Sequence, residues 1–140
     1  EAVQKYRLLH EHIANQRKDF IHKESRRIAN AWDAVCVRED DLRDLAGIAV
    51  QENPAGIGFG AFRECLRYKL AHQGKQLLVV DRYFPSTRLC GQCGRVSAEG
   101  ISPKLRTWVC PACGARLSRE VNAAQNIKAQ GLAQYAGKSA

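Results

Sequence analysis

The sequence predicts an α/β fold interrupted by a small four-cysteine module, and three observations carry that reading. Apolar residues recur at helical spacing through the first thirty positions. Two short apolar runs, around Ala34–Val37 and Leu77–Val80, have the length of buried strands. Four of the six cysteines stand as two Cys-x-x-Cys pairs. The expected organisation is a helix, strand, helix and strand over 1–83, the cysteine module over 84–117, and a last helix over 118–140.

The first element is a long helix over 2–29. Tyr6, Leu9, Ile13, Phe20 and Ile28 fall on one stripe, because their spacings of 3, 4, 7 and 8 match the helical period. The opposite face carries Arg17, Lys18, Lys23, Arg26 and Arg27. Such a face is either simply solvated or turned toward a polyanion. Ala34-Val35-Cys36-Val37 then reads as a short buried strand that runs into the acids Glu39, Asp40, Asp41 and Asp44. From Ala46 to Gly60 there are four Gly and one Pro, so this stretch is expected to be loop. Phe62, Cys65, Leu66 and Leu70 mark a second helix that Gly74 ends, and Gln76–Asp81 a second strand. Cys36 and Cys65, on apolar faces, read as buried thiols. The final helix spans Ser118 to about Tyr135, with Val121, Ala124, Ile127 and Tyr135 on one face.

The cysteine pairs are Cys90-Gly-Gln-Cys93-Gly94 and Cys110-Pro-Ala-Cys113-Gly114. Two residues between thiolates let one tight turn aim both sulfurs at a single ion, and the trailing glycine accepts the positive φ that closes the turn. Two such knuckles make a closed four-sulfur site for one structural zinc ion, and the sixteen residues between them suit a zinc ribbon. The competing readings are two disulfides or paired redox motifs. Disulfides need an oxidising compartment, and no basic segment followed by an apolar one marks a secretory leader. A redox motif normally occurs once, at a strand-to-helix junction.

Composition sets outer bounds. Of 140 residues, 45% are hydrophobic and 26% charged, a balance unlike that of disordered tails, and the apolar runs are too short to cross a membrane. The net charge of +8 favours a polyanionic partner, most often nucleic acid. From Arg82 to Arg119 there are seven Arg or Lys against the single acid Glu99. Two acidic positions stand where chemistry is common: Asp40 or Glu39 at the end of a strand, and Glu120 at the start of the last helix. Carboxylates gathered in a basic protein are the ligand type for Mg²⁺ in phosphodiester hydrolysis. They are equally ordinary as turn residues and as a first-turn acid opposing the helix dipole.

The run Leu117-Ser118-Arg119-Glu120-Val121-Asn122-Ala123-Ala124-Gln125-Asn126-Ile127, following a Cys-x-x-Cys-Gly, resembles the Asp-Arg-Asp-x-Asn-Ala-Ala-x-Asn-Ile ending of TnpB proteins. Asn15-Gln16-Arg17-Lys18-Asp19-Phe20, His22-Lys23, Asp41-Leu42, Leu66-Arg67-Tyr68-Lys69, Pro85-Ser86 and Trp108-Val109-Cys110 are similar to further family positions, in the family's order. The resemblance implies a partial RNase H-like (RuvC) domain with an inserted four-cysteine zinc ribbon. It also implies an RNA-guided DNA endonuclease of the cytoplasm of bacteria or archaea. Its partners would be a guide RNA, whose pairing selects the target, and target DNA. On this resemblance Arg17, Lys23, Arg26 and Arg27 of the helix, and Arg88, Lys104, Arg106, Arg116 and Arg119 of the ribbon, would contact nucleic acid.

The family's catalytic set is Asp, Glu, Asp around two Mg²⁺. Asp40-Asp41-Leu42 resembles the second motif, normally Glu-Asp-Leu, so Asp40 takes the ligand position unless a one-residue shift gives it to Glu39. Glu120 falls on the third acid, normally Asp. Each exchange moves a carboxylate by about one methylene, and a 1 Å misplacement costs on the order of 100-fold in rate. The first acid and the strands that precede the long helix are not matched. The expectation is that an upstream region or another polypeptide supplies them, and that the chain alone does not cut DNA. The alternatives are a nuclease-inactive guided DNA-binding protein and a stand-alone zinc-ribbon nucleic-acid-binding adaptor.

Overall fold

The structure is a computed structural model that describes residues 1–39 and 58–139. Its elements are α1 (Ala2–Ala31), β1 (Ala34–Arg38), α2 (Phe59–His72), β2 (Gln76–Val80), β3 (Thr107–Val109), β4 (Arg116–Ser118) and α3 (Arg119–Ser139). Asp40, Asp41 and Asp44, and nearly all of the expected Ala46–Gly60 loop, lie outside the described residues. Among the described residues two compact units emerge, one of 1–35 with 58–77 and the other of 36–39 with 78–139. Among the described residues no helix is long and apolar enough to cross a membrane.

The first unit is built on α1 and α2. Thirty residues at 1.5 Å rise make α1 about 45 Å long. It buries Ile21, Ser25 and Ala29, an i, i+4, i+8 row, against α2. The apolar stripe read from the sequence is not this row. Tyr6, Leu9, Ile13 and Phe20 are 40–65% exposed, because the shorter α2, of 14 residues, meets only the later turns of α1. Small side chains at Ser25 and Ala29 let the two helices approach, and α2 answers with buried Cys65, Leu66, Lys69 and Leu70. Gly58 enters α2 in the left-handed region at φ 75°, where a Cβ would stand 2.7 Å from Ile21 Cδ1. Gly74, at φ 67°, follows the helix end as expected.

β1 and β2 form a two-stranded sheet. The bonds that bracket it, Gln76 N–H to the Asp33 carbonyl and Glu39 N–H to the Val80 carbonyl, advance together along both strands, so the pair is parallel. Parallel neighbours need a crossover, which contains α2. In the second unit α3 comes close to the strand ends. A Cβ at Gly131 would lie 2.8 Å from Cys36 Sγ, and only a hydrogen fits there. Burial raises the Cys36 thiol pKa, the thiol being half-buried, whereas Cys65 is buried as expected.

The face of α3 differs from its apolar pattern. Val121 and Tyr135 are 55% and 44% exposed and Ala124 is exposed, while Asn122, Asn126 and Gly131 turn inward. What lies beneath this helix is backbone in need of hydrogen-bond donors, so carboxamides rather than methyl groups occupy the contact. β3 and β4 are antiparallel, with Thr107 opposite Ser118, Trp108 opposite Leu117 and Val109 opposite Arg116. Their core is Cys90, Trp108 and Cys110, flanked by half-buried Ile101 and Leu117. This hairpin and the cysteine cluster fit a zinc ribbon.

Candidate metal centre

The two knuckles fold alike. In the first, Leu89 and Val96 form an antiparallel bridge, Cys90 N–H donates to the Arg95 carbonyl at 2.9 Å, and Gly94 N–H to the Cys90 carbonyl at 2.9 Å. In the second, which tips the β3–β4 hairpin, Cys110 N–H reaches the Ala115 carbonyl at 2.9 Å and Gly114 N–H the Cys110 carbonyl at 2.8 Å. Gly94 and Gly114 adopt φ 72° and 74°, the left-handed turn that a Cβ resists. The sequence spacing therefore delivers its geometry locally, one knuckle at a time.

The four sulfurs of Cys90, Cys93, Cys110 and Cys113 lie within 4.8 Å of one another, and the pairs Cys90–Cys113 and Cys93–Cys110 are 3.8 Å apart. A tetrahedron with Zn–S bonds of about 2.3 Å has edges of about 3.8 Å. All four cysteines are free, at distances far above the roughly 2.05 Å of a disulfide bond. The group could hold one metal ion, and its donors and spacing are consistent with zinc. Cys90 and Cys110 are buried, Cys93 and Cys113 exposed.

Electrostatics point the same way. The backbone N–H of Cys113 is the largest influence on the Cys110 thiol and, with that of Ala112, holds its pKa at about 7 against the burial that opposes ionisation. Cys113 receives the backbone N–H of Ala115, which favours its thiolate, yet burial and the neighbouring sulfurs raise it to about 11. Clustered sulfurs cannot all ionise unless a cation offsets their repulsion, and a divalent ion among them would do so.

The first knuckle is tied to α3 by two carboxamides that the sequence reading did not assign a role. Asn122 Oδ1 accepts from Gly91 N–H at 2.9 Å, and its Nδ2 donates to the Leu89 carbonyl at 2.7 Å. Asn126 Nδ2 donates to the Ser86 carbonyl at 2.9 Å and the Leu89 carbonyl at 2.8 Å. The available signal was two Asn four residues apart, which the helical period places on one face, within the family-like run. A second tie joins the helix start to the ribbon, Arg119 N–H donating to the Arg106 carbonyl at 2.8 Å.

The expected catalytic acids are less assembled. Glu39 is exposed, Asp40 lies outside the described residues, and Glu120 is exposed in the first turn of α3. Glu120 Oε1 accepts from Arg119 Nη1 at 3.0 Å. Among the described residues the only group of three or more possible metal ligands is the sulfur cluster, which does not suit Mg²⁺, a cation of oxygen ligands. No step through Mg²⁺ is derived from these residues. Of the expected nucleic-acid contacts, Arg17, Lys23, Arg26, Arg27, Lys104, Arg106 and Arg116 are exposed, and Arg88 and Arg119 are half-buried. Lys23 pairs with Asp19 at 2.7 Å and Arg27 with Glu24 at 2.9 Å.

Comparison with known proteins places residues 59–127 under a family model described as Cas12f1-like, TNB domain. A Streptomyces pristinaespiralis protein, named provisionally as an RNA-guided DNA endonuclease, is 37% identical over 137 residues, covering 97% of this chain and 34% of its own length. A TnpB-like protein of Acanthamoeba polyphaga mimivirus is 26% identical over 133 residues, covering 90% of this chain and 25% of its own. A Pelobacter propionicus protein named CRISPR-associated DNA-binding protein Cas12m is 25% identical over 131 residues, covering 84% and 19%. The chain thus spans about a third of the first relative and a quarter or less of the other two.

Proposed function

The chain is a member of the TnpB family, and from that premise we propose that it is the C-terminal RuvC and zinc-ribbon portion of an RNA-guided DNA endonuclease. Segments 1–83 and 118–140 belong to the RNase H-like domain in this reading, and 84–117 is the inserted ribbon. Cys90, Cys93, Cys110 and Cys113 hold one structural zinc ion, which fixes the ribbon. Guide RNA and target DNA are the partners, met by the basic residues of α1 and the ribbon, in the cytoplasm of a bacterium or archaeon. A further polypeptide or an upstream region completes the RuvC sheet.

The observation that carries this reading is the linkage of the sulfur cluster to the helix that begins Arg119-Glu120. Asn122 and Asn126 lock the first knuckle onto that helix, two and six residues beyond Glu120. A plain adaptor ribbon needs four sulfurs but no such tie to a helix whose first turn carries Glu120. Glu120 is the proposed third acid of the Mg²⁺ set, with Asp40 or Glu39 as the second.

A second reading, guided DNA binding without cutting, is favoured by the acid exchanges at Asp40 and Glu120 and by the DNA-binding name of the Pelobacter relative. Expression of the chain with the DNA that flanks its gene tests both. A defined small RNA and one equivalent of zinc should co-purify. Mg²⁺-dependent cleavage of matched DNA separates the first reading from the second, and zinc with no specific RNA would overturn both.

A further inference from the structure

In the first unit, the later turns of α1 and the end of α2 frame a groove of about 250 Å³ lined by Arg26, Asn30, Tyr68, Lys69, His72 and Gln73. No carboxylate lines it. Lys69 is 8% exposed, a rare state for lysine unless an anion accompanies it. Its ammonium instead donates to two neutral oxygens, the His22 carbonyl at 2.7 Å and Ser25 Oγ at 2.6 Å. That leaves one of three N–H donors unused, and the charge faces only the Tyr68 ring, 5.8 Å to the centroid, with no carboxylate beside it among the described residues. Among the described residues Arg26 has no ion pair, in contrast to Arg27 and Arg67, which bind Glu24 and Glu64. Asn30 Oδ1 is already occupied by Gln73 Nε2 at 2.8 Å.

Two helix C-termini approach the groove and oppose an anion, each with roughly half a negative charge. Lys75 offsets one of them, donating to the Ala29 carbonyl at 2.6 Å. Arg26 and Lys69 together bring two full positive charges, so the balance stays positive. A buried cation with one N–H donor still free and no counter-charge among the described residues, beside an open groove, is a site prepared for an anion.

We propose that this groove seats one backbone phosphate of a bound nucleic-acid strand, with Arg26 and the remaining Lys69 N–H as donors and the His72 ring at the rim. The proposal rests on the nucleic-acid reading above and names a site within it. Room for several waters, at about 30 Å³ each, leaves the phosphate partly hydrated, as a diester that enters and leaves requires.

The test uses the whole zinc-loaded chain and a short fluorescein-labelled single-stranded DNA, with anisotropy followed across a salt series. Arg26→Gln should make the slope of log K against log salt shallower by about 0.7 and weaken binding about fivefold at ~0.1 M salt. Arg67→Gln, at an α2 residue already ion-paired with Glu64, should change the slope much less. Inorganic phosphate should shift the Arg26 Nε–Hε and His72 ring NMR signals saturably, and Arg26→Gln should abolish the His72 shift. An unchanged slope in Arg26→Gln, with DNA still bound, overturns this site and leaves the nucleic-acid reading standing. Saturable phosphate shifts in a chain that binds no DNA overturn the backbone assignment and the nucleic-acid reading together, leaving a small-anion site. Because Arg26 is exposed, its variant does not test folding at the same time.

Discussion

Replacement of Asn126 is the sharpest test of how the ribbon is attached to its helix. Asn126 is 5% exposed and its Nδ2 serves two carbonyls, those of Ser86 and Leu89. In Asn126→Ala the Ser86 carbonyl loses its donor in a buried place, at about 1–3 kcal/mol. Leu89 keeps Asn122, so that loss is an ordinary bond of about 0.5–1.5 kcal/mol. The sum is about 3 kcal/mol, on the order of 100-fold in the folding equilibrium. Urea unfolding of the zinc-loaded chain, followed by circular dichroism, reads it directly, and capture of zinc by a chromogenic chelator should quicken in parallel. Asn126→Asp sharpens the logic, since it keeps the shape but aims an acceptor at two acceptors. The introduced carboxyl would have a folded-state pKa above the roughly 3.9 of an unfolded Asp. Its penalty is therefore absent below that value and grows as pH rises toward the folded pKa. If Asn126→Ala lies within about 0.5 kcal/mol of the parent, or Asn126→Asp is no less stable than the parent at pH 7, the clamp does not carry this load.

Three further outcomes follow from the same geometry. Cys110→Ser should reduce bound zinc, measured by elemental analysis, from one equivalent to a small fraction; full retention would remove Cys110 from the ligand set. Gly131→Ala should cost about 1–3 kcal/mol by overpacking, because its Cβ would meet Cys36 Sγ at 2.8 Å. Adding Cys36→Ala should recover about 1 kcal/mol or more in a double-mutant cycle, and strict additivity would refute the contact. In the assembled guide complex, Glu120→Gln should abolish cleavage and spare DNA binding. Asp40→Asn compared with Glu39→Gln then decides which acid is the second ligand, by which variant stops cutting.

The parts of this molecule that were legible in its sequence are those that sequence-local geometry decides. Cys90 and Cys93, or Cys110 and Cys113, need only a turn and a glycine to face one point, and both knuckles form as the spacing requires. Helices and strands also emerge near their expected bounds, since period and apolar run length are local properties. Which face is covered is not local. The row Ile21, Ser25 and Ala29 is less apolar than Tyr6, Leu9, Ile13 and Phe20, yet it is the row that meets α2. The inward turn of Asn122 and Asn126 in place of Val121 and Tyr135 has a similar cause, because the demand for donors comes from Ser86 and Leu89, more than thirty residues away. Lys69 stands in a family-like run, but its burial is not legible there, since it depends on oxygens of α1 that no pattern within α2 reveals.

The division of the four sulfurs into a buried pair and an exposed pair gives the metal site two unlike hemispheres. Each knuckle contributes its first cysteine to the dry side and its second to the wet side. Ligand exchange starts where water and competing thiols arrive, so Cys93 and Cys113 are the doors through which an ion enters or is stripped. Cys90 and Cys110, set in the small core with Trp108, are the hinges on which both doors hang. With an ion bound, an oxidant or chelator that opened one door would still leave three sulfurs on it, two of them set in the buried core.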